Sequence, residues 1–149
     1  MKKEKVGYII LIATAVLSIA ALFFIAPIEQ DTVYHHFCDS KTIFNIPNFW
    51  NVVSNLPFLI VGFIGLLKAS KFPKPKIQYI LFFTGISLVS FGSGYYHWNP
   101  NNETLVWDRL PMTIAFMSLF SIIISEFIDE KKGLKILTPA LLIGLFSVI

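Results

Sequence analysis

The chain has 149 residues, of which 55% are hydrophobic and only 14% charged, with a mean hydropathy of +0.69. That leaves too little polar surface to cover a soluble globule, so composition places it among membrane proteins. The formal net charge of +3 does not indicate nucleic-acid binding, because the lysines sit at the ends of apolar blocks without a basic stripe or interleaved aromatics. Cys38 is the only cysteine, which excludes a disulfide within the chain.

A helix needs about 20 apolar residues to cross the hydrocarbon core. Five blocks approach that length, at about 7–28, 49–67, 79–98, 105–128 and 136–149. Inside lipid the backbone must satisfy its own hydrogen bonds, so each block is expected to be helical despite many β-branched residues. The expected fold class is therefore all-α, a polytopic transmembrane helix bundle forming a single membrane domain over 1–149. The first block follows lysines, as a signal peptide would. It exceeds the usual apolar run of about 7–15 residues, and Pro27 behind Ala26 offers no small-x-small cleavage site, so a retained helix is expected. The fifth block stops after fourteen residues and is read as an incomplete span.

Orientation follows from the cations. With a cytoplasmic N-terminus, ten of the 12 Lys and Arg fall inside and only Lys41 and Arg109 outside. The loop 29–48 and the turn 99–104 then face outward, and KFPKPK and DEKKGLK form the inner turns. The polar clusters are then expected near the outer face.

Polar groups at membrane depth are costly and are functional candidates. On the second block, Asn48, Asn51 and Asn55 recur at helical spacing with Ser54 beside them, ahead of Pro57, which should kink the helix. Such a stripe serves a substrate or glues helices together by hydrogen bonds. In GSGYYHWNP, Ser93 and His97 are four apart and share a face, with Ser87 and Ser90 continuing it. A single histidine there is either a packing residue or a metal ligand. In WDRLPMT, Asp108 lies eleven residues after His97 across the turn sequence NPNNET, which returns it to the same depth. Ser93, His97 and Asp108 can thus converge from two antiparallel helices. The alternative for Asp108 is a helix cap paired with Arg109.

FWNVVSN, the serine four before the histidine in SGYYH, and the aspartate eleven after it in WDRLPM resemble the alkaline ceramidase family, in the seven-helix hydrolase superfamily that includes the adiponectin receptors. The resemblance covers about 31–127. DTVYHHFCDSKTIFNIPNFWNVVSNLPFLIVG resembles the bacterial branch, which carries an extra N-terminal helix. The resemblance implies a zinc-dependent hydrolase that splits a ceramide-like membrane lipid amide into a long-chain base and a fatty acid. It makes His97 a zinc ligand, Asp108 the group beside the zinc-bound water, and Ser93 a residue steadying the metal site or the oxyanion. No obligate protein partner is implied.

The pattern departs in one respect. Two further zinc ligands come, in the family, from an HxxxH pair on the final helix, and the histidines here are only His35, His36 and His97. The chain is accordingly expected to be a fragment or a relic, unable by itself to hold zinc tightly. His35 and His36, adjacent and pointing apart, are expected to pack the loop. Eukaryotic members place calcium in the acidic N-terminal region. Asp39 stands in a comparable place, but Asn48 replaces a glutamate and Lys41 lies close by, so a strong calcium site is not expected. Asp39 and Asn48 are alternatively helix caps. The competing functions are a non-catalytic lipid-sensing receptor or scaffold of the same superfamily, and a transporter fragment. The absence of an inverted repeat argues against the last.

Overall fold

The computed structural model describes residues 2–22, 24, 30–73 and 76–148. They fall into two compact units, Met1–Gln30 and Asp31–Ile149. The first consists of helix α1, Lys2–Leu22, whose apolar stretch Ile12–Ala21 is exposed throughout. The part of the first apolar block at 25–28 lies outside the described residues.

The second unit opens with a loop. A short 3-10 turn at Thr32–His35 is capped by Asp31, whose carboxylate accepts from the Val33 N–H at 2.9 Å. Further on, Ile43 and Ile46 pair across a two-residue turn with Phe44 and Asn45 both left-handed, at φ 53° and 62°. That is the backbone a tight reversal requires. Five helices follow: α2 at Phe49–Val53, α3 at Leu56–Leu67, α4 at Lys76–Trp98, α5 at Asn102–Phe127 and α6 at Glu130–Phe146.

The second apolar block is one span by length, Phe49–Leu67, but is broken into α2 and α3 at Ser54 and Asn55. The cause is Pro57, which lacks an N–H and fits only the first turn of a new helix, so the break falls just ahead of it. Four helices, α1, α4, α5 and α6, begin earlier than hydropathy alone suggests. The start of α5 is drawn back to Asn102 by Asn101, whose side chain accepts from the Thr104 N–H at 2.9 Å while the Thr104 hydroxyl answers the Asn101 N–H at 3.2 Å. Likewise α4 begins at Lys76, whose ammonium donates to the Ser70 carbonyl at 2.7 Å.

Among the described residues, three helical stretches are long and apolar enough to cross a membrane: Phe49–Leu67, Lys76–Trp98 and Asn102–Phe127. Large apolar side chains such as Phe58, Phe63, Phe91 and Phe116 are exposed along them, as suits helices solvated by acyl chains. The chain is an all-α membrane helix bundle. Within the second unit α4 is central, with α5, α3 and α2 packed on it, while α6 packs on α5.

Small residues let these helices approach closely. A Cβ on Gly85 would lie 2.7 Å from the Ala115 backbone nitrogen, and one on Gly92 would collide with the Trp107 carbonyl oxygen. The second contact has a cause in the sequence. Pro111, four residues after Trp107, has no N–H to return, so the Trp107 carbonyl is freed from the α5 ladder and presses towards α4. At the far end of the bundle the wholly buried Gln78 donates to Ser121 and, at 2.9 Å, to Ser125, and Ser121 donates to the Gly133 carbonyl at 2.8 Å. One amide and two hydroxyls thereby join α4, α5 and α6. Ser118, also wholly buried, has no hydrogen-bond partner for its hydroxyl.

Two pairs of substitutions follow from this packing, each read as unfolding in detergent micelles. Gly92→Val should cost about 1–3 kcal/mol by forcing α4 off the Trp107 carbonyl, whereas Gly94→Ala, whose Cβ meets nothing within 4 Å, should stabilise by about 0.5–1 kcal/mol. Ser121→Ala should cost about 0.5–2 kcal/mol, and Ser118→Ala should be neutral or stabilising, since it removes a hydroxyl that is desolvated without return.

Candidate functional site

Ser93 and His97 lie on the last two turns of α4, with Ser93 buried and His97 half-buried. Asp108 is half-buried on α5, inside the helix beyond its first turn, because the capping position belongs to Asn101. The close approaches of Gly85 to Ala115 and of Gly92 to Trp107 set an antiparallel register. In that register Asp108 stands opposite Gly92 and Ser93, about one turn deeper than His97. All three polar residues are thus near one end of the α4–α5 pair. The His97 Nδ1 is buried and has no hydrogen-bond partner. An imidazole nitrogen in that condition costs free energy unless something binds it.

The loop between residues 31 and 48 is fastened over this end. Asn48, left-handed at φ 47°, occupies the position before α2 but makes no cap. Its side-chain amide instead donates to the His97 carbonyl at 2.8 Å. Phe37 lays its ring on His97, with centroids 4.8 Å apart, and meets Tyr96 edge-on at 5.6 Å. His35 bridges two helices: its Nδ1 is 2.9 Å from the Tyr96 hydroxyl on α4, and its Nε2 is 2.9 Å from the Asn102 Oδ1 on α5. With Asn102 accepting, Nε2 carries the proton and Nδ1 accepts from the tyrosine. His36 is exposed and lines, with His35 and Asn102, the same shallow pocket beside this bridge.

Asp39 takes the capping role that Asn48 leaves vacant. Its Oδ2 accepts from the Trp50 N–H at 2.8 Å and the Asn51 N–H at 3.2 Å, both in the first turn of α2, and its Oδ1 accepts from the Lys41 N–H at 3.2 Å. One carboxylate therefore ties the loop to a helix start whose N–H groups would otherwise lack partners.

The polar stripe turns inward on its own helix. Ser54 donates to the Asn51 carbonyl at 2.8 Å, and buried Asn55 donates to the carbonyls of Asn51 at 2.8 Å and Val52 at 3.3 Å. These bonds satisfy the Asn51 carbonyl, which the break before α3 leaves without an N–H donor, and add to the Asn55 N–H bond on the Val52 carbonyl. They occupy both side chains locally.

A catalytic zinc takes three protein ligands and leaves one position open. Among the described residues, no group of three or more His, Cys, Asp or Glu could hold a metal ion. His97, with its unpartnered buried nitrogen, is a credible single ligand, and the other two histidines do not join it. The described residues by themselves therefore do not fit a catalytic zinc.

Phe37, Tyr96 and the His35 bridge are absent from any reading of sequence pattern, and only the aromatic run before His97 in GSGYYH hints at them. Their partners lie 60 or so residues apart, as with His35 and Tyr96 at a separation of 61. No local period reports such a pairing.

A family model described as ceramidase matches residues 29–149. No protein of curated function and no solved structure matches the chain. The family match spans the loop, the α4–α5 pair and α6, and so takes in every residue of the site just described. The chain belongs to the ceramidase family.

Proposed function

We propose that the protein is a ceramidase-like hydrolase of a membrane lipid amide, with a ceramide-like substrate, and that it works with zinc. The observation that carries this reading is the buried, unpartnered Nδ1 of His97, near the same end of the α4–α5 pair as Asp108, inside a region that matches the ceramidase family. When bound, zinc polarises the amide carbonyl and makes water acidic near pH 7. His97 would contribute one ligand to it. Asp108 would accept the proton of the attacking water and return it to the amide nitrogen as the C–N bond breaks, and the Ser93 hydroxyl would donate to the carbonyl oxygen as it gains charge. With the N-terminus cytoplasmic, in a bacterial inner membrane, this site lies near the outer leaflet, where a lipid can enter sideways without leaving the bilayer.

The lack of a three-residue metal group among the described residues favours a second reading, a lipid-sensing receptor or scaffold without turnover. Elemental analysis and turnover separate the two. The 149-residue chain purified in nanodiscs should carry clearly less than one zinc per molecule, and stoichiometric zinc that disappears in His97→Ala would overturn the ligand count. In the protein as its host produces it, His97→Ala and Asp108→Ala should each lower release of labelled fatty acid from ceramide at least about 100-fold with membrane insertion unchanged. Undiminished turnover in either variant refutes the role assigned to that residue, and saturable ceramide binding with no turnover in the unaltered protein supports the receptor reading.

Asp39 acts in this reading as a loop anchor, with no call for the calcium that its position in the family would suggest. Calcium wants six or more oxygen ligands, and both oxygens here already accept backbone N–H bonds. Partial burial pushes the carboxyl up, but the N–H groups of Asn51, Lys41 and Trp50, helped by the Lys41 ammonium, outweigh it and hold the carboxyl below its ordinary 3.8. A depressed folded value means that the anchorage is complete above pH 3.8 and is lost as the pH falls through the lower folded value. Cleavage of the loop by an acid-active protease should therefore rise steeply below that pH. Asp39→Ala should show the fast cleavage at all pH values, and calcium or a chelator should change neither.

A further inference from the structure

The loop between residues 31 and 48 does more than connect. Three of its side chains end on the α4 turn that carries His97, and each addresses a different part of it. Asn48 holds the His97 carbonyl at 2.8 Å, Phe37 covers the ring at 4.8 Å, and His35 grips the adjacent Tyr96 hydroxyl at 2.9 Å. His35 also reaches Asn102 at 2.9 Å, in the opening residue of α5. This last bond matters because α5 also carries Asp108. A single imidazole therefore spans the two helices whose alignment brings His97 and Asp108 together.

The Phe37 ring has no hydrogen-bonding group, so it can only exclude water and restrict rotation. The helix that carries His97 does not by itself stop the ring from turning about its side-chain bonds. The aromatic face supplies the missing wall: centroids 4.8 Å apart with planes at 57° are in van der Waals contact. A wall of that kind limits the turning of the His97 ring and shields it from water. Phe37 itself sits two residues after His35 and two before Asp39, so it is pinned from both sides by the bridge to Tyr96 and Asn102 and by the carboxylate bonds to α2.

We propose that Phe37 is a positioning residue for the His97 imidazole, and that His35 is the latch which holds Phe37 in place and keeps α4 and α5 in register at the site. The proposal rests on reading His97 as a ligand, but its test does not use turnover or metal. A failure of the ceramidase reading is therefore distinguishable from a failure of this one.

Diethyl pyrocarbonate modifies accessible unprotonated imidazoles, and peptide mass spectrometry assigns the modification to each histidine. In the whole protein in nanodiscs, His36 should react fast and His97 slowly. Phe37→Ala should raise the His97 rate several-fold without changing His36, and Phe37→Tyr should restore protection. Tyr96→Phe, which deletes one oxygen and leaves the fold intact, should also expose His97. A spin label on Cys38, the only cysteine, should gain mobility in Tyr96→Phe and His35→Ala, with the double variant no more mobile than either single one. An unchanged His97 rate in both Phe37→Ala and Tyr96→Phe overturns the proposal, and so does additive mobility in the double variant.

Discussion

The site depends on one contact, the seating of the Trp107 carbonyl against Gly92. Two long helices in lipid gain little from apolar burial against each other, because acyl chains are as apolar as leucine. They are held by close approach, and close approach is decided by what stands at the crossing. Here a proline releases a carbonyl on α5 and a glycine leaves room for it on α4. The crossing lies within a turn of Ser93, His97 and Asp108. Any rotation of either helix about its axis would carry those side chains apart, so the register of the backbone is also the register of the chemistry.

The two ends of the bundle treat polar groups differently. At the end away from His97, Gln78, Ser121 and Ser125 use their hydrogen bonds on one another and on the Gly133 carbonyl, and the result is a closed network that locks three helices. At the His97 end, the His97 Nδ1 is buried with nothing bound to it. A folded protein seldom tolerates an unsatisfied buried nitrogen without a use for it. Ser118 shows the same vacancy, and there the arrangement is a cost without an evident return. What separates the two is their chemistry, since an imidazole nitrogen is a common metal ligand and a serine hydroxyl is not.

Much of the helical framework was legible because the membrane imposes a simple rule: apolar runs of sufficient length become helices. The edges were less so. Hydropathy starts the α5 block at Leu105, but the polar Asn101–Thr104 capping box extends the helix back to Asn102. Pro57 announced a kink, and its missing N–H turned the kink into a full break two residues earlier. That Ser93, His97 and Asp108 fall near one end of the α4–α5 pair could be reasoned from a four-residue spacing and a short turn. The roles of Asp39 and Asn48 could not. Both are good capping residues, and sequence does not say that the aspartate would cap α2 from ten residues away while the asparagine, adjacent to it, would turn left-handed and reach α4.

The loop was the least legible part, for a physical reason. Apolar periodicity reports burial against a continuous surface, and residues 31–48 are exposed or half-buried with no period. Their conformation is fixed by a few long-range bonds and by the left-handed residues Phe44, Asn45 and Asn48. Left-handed backbone at a phenylalanine is unfavourable on its own. It persists because the surrounding anchors, Asp39 on α2 and His35 on α4 and α5, over-determine the path of the chain. A segment with so many fastenings and so little core is held for what it covers, and what it covers is the imidazole of His97.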